Sequence, residues 1–103
     1  MSSPYLPVRP TFAITTTPPA LGALAVTELL ALDTGRISWA IRAVVGTEPV
    51  YVSFTESEVP ITSTSAAYTI QADETLTSKD LNGYCGGVWV TGNGSIVVVT
   101  EFF

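Results

Sequence analysis

Hydrophobic and polar positions alternate with a period of two through much of this chain, the spacing of strands with one face buried. The segment 37–45 shows it most clearly: Ile37, Trp39, Ile41 and Ala43 fall on one side, Ser38, Ala40 and Arg42 on the other. Beyond the turn Gly46-Thr47-Glu48-Pro49, Val50, Val52 and Phe54 oppose Tyr51 and Ser53 in the same way. The gap from Val45 to Val50 fits a hairpin with a short loop. Further short strands are predicted in "TFAITTT" (11–17), which Pro18-Pro19 stops, in "AAYTI" (66–70) and in "TLTS" (75–78), the last two flanking a turn at 71–74. The aperiodic polar stretch 55–65 and the glycine-containing stretch "KDLNGYCGG" (79–87) read as connections.

Two segments depart from simple alternation. "ALGALAVTELLALDTGR" (20–36) fits a helix through Leu21, Leu24, Ala25, Glu28, Leu29 and Leu32, but also a strand with Leu24, Val26, Glu28, Leu30 and Leu32 on one face. Because its neighbours are strands the strand is favoured, and the helix stays open. The closing segment "GGVWVTGNGSIVVVTEFF" is the most apolar in the chain. Asn93-Gly94 offers the left-handed residues of a tight turn, so "VWV" and "SIVVVTEFF" are predicted to pair as a hairpin. In the last strand Ile96 and Val98 point one way and Val97 and Val99 the other, so both faces need a cover. One cover is the protein's own core, and the other is expected to be the N-terminal arm or a second subunit.

Eight short strands between frequent turn signals predict an all-β fold, a single β-sandwich, jelly-roll-like or immunoglobulin-like, over 11–103. The first ten residues carry Pro4, Pro7 and Pro10 and are expected to form an extended arm.

Composition sharpens the expectation of a second subunit. In 103 residues, 47% are hydrophobic and only 13% charged, against about 25% charged in ordinary soluble domains. A domain this small has little interior in which to hide its apolar surface, so some is expected at an interface, in a homo-oligomer such as a dimer or trimer. The residues placed there are Tyr5, Leu6 and Val8 of the arm, Trp89, which is out of phase with Val88 and Val90, and Val97, Val99, Phe102 and Phe103 of the last strand.

Charge and chemistry mostly exclude. The net charge is −5 and the four cations Arg9, Arg36, Arg42 and Lys79 are scattered, which argues against nucleic acid and against an anionic membrane. The N-terminus lacks the basic and apolar regions of a signal peptide, and no apolar run reaches a membrane span, so a soluble protein made in a cytosol is expected. Without histidine the chain lacks the commonest general base and zinc ligand, and Cys85 alone can form neither an internal disulfide nor a thiol–imidazole pair. Glu56, Glu58, Asp73 and Glu74 lack the spacing of a calcium loop. No cofactor, metal or catalytic residue is assigned, and no enzymatic activity is expected. Asp33-Thr34-Gly35 after an apolar segment resembles the catalytic loop of dimeric aspartic proteases, in which two aspartates share a proton. Arg36 then departs from that pattern, and an ordinary turn accounts for the same residues. The aromatic residues Trp89, Tyr51, Tyr68 and Tyr84 offer a sugar- or receptor-binding module as another alternative, whereas Trp39 is in phase with the core.

The order of segments from about 24 to 102 resembles small virion proteins of tailed bacteriophages. "LAVT" opens, the pair "ISWAIRAVVGTEPVYVSF" follows, then the Ser/Thr-rich "TESEVPITSTSAAYTI", the "ADETLT" turn and the closing "VWVTGNGSIVVVTEF". That resemblance implies a capsid decoration (cement) protein, or a neck or tail accessory protein. It would be located in the virion, made in the host cytoplasm, free of cofactors, and bound to the major capsid protein or other virion proteins.

Overall fold

The computed structural model describes residues 12–46 and 48–103, with eight strands and one 3-10 turn of helix. The strands are β1 (Ala13–Thr16), β2 (Thr27–Leu30), β3 (Ser38–Val45), β4 (Val50–Ser53), β5 (Tyr68–Ile70), β6 (Thr75–Thr77), β7 (Val88–Thr91) and β8 (Ile96–Phe102), and the helical turn is Ser78–Leu81. They form two four-stranded sheets, sheet A in the order β1-β8-β3-β6 and sheet B in the order β2-β7-β4-β5. All pairings are antiparallel, and β1 pairs with β8, β2 with β7, β3 with β6 and β4 with β5. The chain is therefore one long two-stranded ribbon, with its bend between β4 and β5, rolled into a sandwich. This is the jelly-roll arrangement, and it decides between the two sandwich types the sequence left open. The arm at 1–10 lies outside the described residues.

Both predicted hairpins are absent. β3 and β4 lie in different sheets, so the connection between them crosses the sandwich instead of returning along its own strand. The same holds for β7 and β8, separated by the turn at 92–95. The physical reason is in the valines. Val88 and Val90 on β7, and Val97 and Val99 on β8, are all buried. Setting the two strands in opposite sheets points both pairs at one core, where a flat hairpin would need a second layer to cover them. Gly94 does take the left-handed conformation that Asn93-Gly94 signals, with φ +72°. What the turn grips is Leu21: the Gly94 N–H donates to the Leu21 carbonyl and the Leu21 N–H to that of Ser95, both at 2.8 Å. Gly92 allows this approach, since a Cβ there would lie 2.9 Å from Leu21 Cβ.

The core lies between the sheets. Sheet A contributes Trp39, Ile41, Ala43, Leu76, Val97 and Val99, and sheet B contributes Leu30, Val50, Val52, Ile70, Val88 and Val90. The Trp39 indole N–H donates to the Tyr84 carbonyl at 2.9 Å, which satisfies the one polar atom of a fully buried ring. The ambiguous segment 20–32 is a strand only over 27–30. A bulge between Glu28 and Leu30 brings Leu30 into the core, while Leu24 and Leu32 outside the strand are 90% and 68% exposed. Ile37, expected in the core, is also exposed, because it precedes the regular strand. Part of the stretch expected to be loop, together with Ser78, forms the 3-10 turn, capped by Thr77 and Asp80 in reciprocal hydrogen bonds.

Candidate functional site

The two sheets differ in what lies on their outer faces. In sheet B, Thr91 and Tyr51 face outward in register. Thr91 is nevertheless buried, because two connecting segments of the same chain lie over it: its hydroxyl donates to the Ala25 carbonyl and accepts from the Ile61 N–H, both at 2.9 Å. Ile61 is 3% exposed, although it belongs to the connection predicted to be a solvated loop.

Sheet A has no such cover among the described residues. Its register sets Thr15, Thr100, Ala40 and Thr77 in one row across all four strands, with Val98 and Ser38 in the adjacent rows. The Thr15 and Thr100 hydroxyls lie 3.3 Å apart, which fixes them on the same side. These side chains are short and uncharged, and within the paired registers Arg42 is the one charged residue of this face. β1 at its margin is exposed at all four positions. Phe12, just before β1, stacks on Phe103 with centroids 5.0 Å apart and is itself 55% exposed.

The residues expected at an interface divide three ways. Tyr5, Leu6 and Val8 lie outside the described residues. Val97 and Val99 are 0% and 2% exposed and fill the chain's own core, so the surface of β8 is made by the alternate residues Ile96, Val98, Thr100 and Phe102. Phe102 and Phe103 are half-buried beside β1, and Trp89 is half-buried on the outer face of sheet B between Glu28 and Ser53. The Trp89 ring folds back over Gly87, where a Cβ would run into it. Tyr51, on the adjacent strand of the same outer face, lines a shallow cavity of about 340 Å³ with Pro49, Pro60 and Ile61.

Other candidate groups have local partners. Asp33 accepts the Gly35 N–H at 2.9 Å in a turn of its own residues. Asp73 occupies the left-handed region with φ 63° in the turn before β6, and Glu74 accepts from the Tyr68 hydroxyl at 3.3 Å. The Glu74 charge pushes the Tyr68 phenol above its ordinary range, with desolvation adding to it. Among the described residues no three or more acidic or cysteine side chains gather as a metal site, and no helix is long and apolar enough to cross a membrane.

The residue that sequence reasoning passed over is Arg36. It is buried, and it donates to Glu101 at 2.8 Å and to the carbonyls of Ala31 and Cys85 at 3.1 and 3.2 Å. It ties the end of β8 to the 31–36 and 85 loops. The signal was present: Glu101 is in phase with the core residues Val97 and Val99, and an acid on an inward face calls for a cation. Its Nε is buried without a hydrogen-bond partner among the described residues. No family model matches the chain, and neither a curated protein nor a solved structure matches it significantly.

Proposed function

We propose that this chain is a structural assembly protein that meets other protein subunits through the outer face of sheet A. The observation that carries this reading is the contrast in cover. Two connecting segments of the chain lie over Thr91 on the outer side of sheet B, whereas the outer side of sheet A carries a row of short, uncharged side chains with no such segment over it among the described residues. Such a face suits close contact with another protein, since little needs to be desolvated beyond hydroxyls and methyls. The layout resemblance supplies the setting: decoration of a tailed-phage shell, with a neck or tail accessory role as the other placement. The partners would be further copies of the chain and the major capsid protein, and the role would be mechanical, with many weak contacts acting together. Jelly rolls build viral capsids and also lectins, so the fold by itself does not choose.

The test is Thr100→Lys, which sets a charge in the middle of the face. In sedimentation velocity over a wide concentration range, the wild-type chain is expected to show mass increasing with concentration. Thr100→Lys should show a much smaller increase, with its folding stability within about 1 kcal/mol of wild type. A wild-type chain that stays monomeric throughout, and fails to co-sediment with undecorated phage heads, would sink the reading. The glycan-binding alternative rests on the cavity beside Tyr51, and Tyr51→Ala with a glycan array is its check. The protease alternative requires two Asp33 carboxyls to meet, and unchanged behaviour of Asp33→Asn would end it.

A further inference from the structure

Resting on the assembly reading, we infer that β1 is a pairing edge for a second copy of this chain, joined antiparallel about a two-fold axis through Ile14. Sheet margins attract other strands, and proteins usually blunt them with charge, proline, bulges or brevity. Three of the four margins here are blunted. β2 carries Glu28 and a bulge, β5 is three residues long, and β6 is three residues long and runs directly into the capped turn with Lys79 and Asp80. β1, one residue longer than β5 and β6, has no charge, proline or bulge: Phe12–Thr16 reads Phe-Ala-Ile-Thr-Thr.

The hydrogen bonding defines the register. Phe12 and Phe103 exchange both main-chain bonds, at 3.2 and 2.9 Å. In an antiparallel ladder such pairs alternate, so Phe12, Ile14 and Thr16 turn their N–H and C=O groups toward β8. Ala13 and Thr15 therefore point theirs away from the sheet. Two copies satisfy these groups reciprocally in one way: Ala13 pairs with the Thr15 of the second copy and Thr15 with its Ala13, giving four main-chain hydrogen bonds. Ile14 then faces its own counterpart on the axis in the closer, non-hydrogen-bonded type of pair. This buries a side chain that is 44% exposed in the single chain, and Phe12, 55% exposed, comes opposite Thr16. The net charge of −5 does not oppose the contact locally, since β1 contributes none of it. The pair is isologous, as a two-fold contact requires, and joins two four-stranded sheets into one of eight. The short strand makes the contact smaller than the ~1,600 Å² of a standard stable interface, so pairing is expected to be weak in solution and to gain from repetition in an assembly.

The test traps the pair by disulfide formation in a Cys85→Ser background. Ile14→Cys places two thiols face to face at a Cα separation of about 4.5 Å, inside the range a disulfide spans. It should form crosslinked dimer at least tenfold faster than Leu24→Cys, even though Leu24 is the more exposed position. Ala13→Cys and Thr15→Cys should crosslink faster mixed than alone. Adding Thr15→Pro removes an outward N–H that β8 does not use, and should return Ile14→Cys to the Leu24→Cys rate. Should that proline variant misfold, Ile14→Lys, which brings two like charges together on the axis, should slow the mixed Ala13→Cys and Thr15→Cys reaction instead. An Ile14→Cys rate no higher than that of Leu24→Cys overturns the inference. If Thr100→Lys still suppresses concentration-dependent sedimentation in that case, the assembly reading stands and only the edge is lost. If both results are negative, both fall.

Discussion

The outer faces of the two sheets are built from similar strands but reach opposite ends. On sheet B the chain returns over its own surface: Ile61 and the 23–25 segment cover Thr91, and a threonine on an outward-facing position becomes a buried hydrogen-bonding hub. On sheet A the outward threonines Thr15 and Thr100 bond to each other, and β1 beside them is exposed along its length. Identical chemistry therefore serves two purposes. Where the chain supplies the second layer, a polar outward residue contributes to folding stability. Where it does not, such a residue contributes a surface. On the assembly proposal, stability and association fall to different sheets, and substitutions on the two faces should separate them.

The largest effect is expected at Ile61. Ile61→Ala removes buried methyl groups from the cover of sheet B and should cost about 2–4 kcal/mol in urea unfolding, with the sedimentation behaviour of sheet A unaltered. A cost under about 0.5 kcal/mol would mean that the loop merely rests on the sheet, and the contrast between the faces would collapse. Next comes Thr91→Val, which keeps the volume but strands the Ile61 N–H and the Ala25 carbonyl. About 1–3 kcal/mol is expected, the cost of buried groups left unpaired. The matching change on the other face, Thr100→Val, should leave stability within about 0.5 kcal/mol, because the hydroxyl it deserts is the exposed one of Thr15. Equal costs at 91 and 100 would show that both faces are solvated alike.

The strands were legible in the sequence because alternation is local: Trp39, Ile41 and Ala43 announce a buried face without reference to any other segment. Their partners were not. A short turn with Gly or Asn states that the chain reverses, and it does so between β3 and β4 and between β7 and β8, but a reversal across the sandwich needs the same residues as one within a sheet. The distinction lies in the number of faces to be buried, and the valines on either side of Asn93-Gly94 held that information. Single apolar residues in irregular segments were the least legible. Leu21 and Ile61 are buried and Leu24 and Leu32 exposed, and nothing in their neighbours separates them, because burial there depends on which loop finds which face. For the candidate surface, Val97 and Val99 were named although they fill the core, and the outward positions of β8 are Ile96, Val98 and Thr100. β1 went unnoticed as an edge, since an edge is defined by topology and only then by sequence.

Of the costs expected on sheet B, the smallest tests how its cover is rooted. The Tyr84 hydroxyl shares its hydrogen between the carbonyls of Gly87, at 2.8 Å, and Phe54, at 3.2 Å, and its ring lies 5.0 Å from that of Phe54. Phe54 begins the connection that carries Ile61, and Gly87 leads into β7, so this one donor holds the loop to the strand it covers. Desolvation, with a smaller contribution from Cys85, raises the Tyr84 phenol above its ordinary value of 10.0. The folded state therefore favours the neutral, donating form. The stability this contributes is fully present below the unfolded-state value near 10 and is lost as pH rises through the higher folded-state value. Hydrogen exchange at Ile61 should accelerate over that alkaline range while exchange in β3 and β8 lags behind. Tyr84→Phe should abolish the differential and bring the faster Ile61 exchange to neutral pH, at a cost of about 0.5–1.5 kcal/mol. If instead the two sheets loosen together as pH rises, the loop is not a separate layer anchored at Tyr84, and the cover of sheet B is as much part of the sandwich as the strands beneath it.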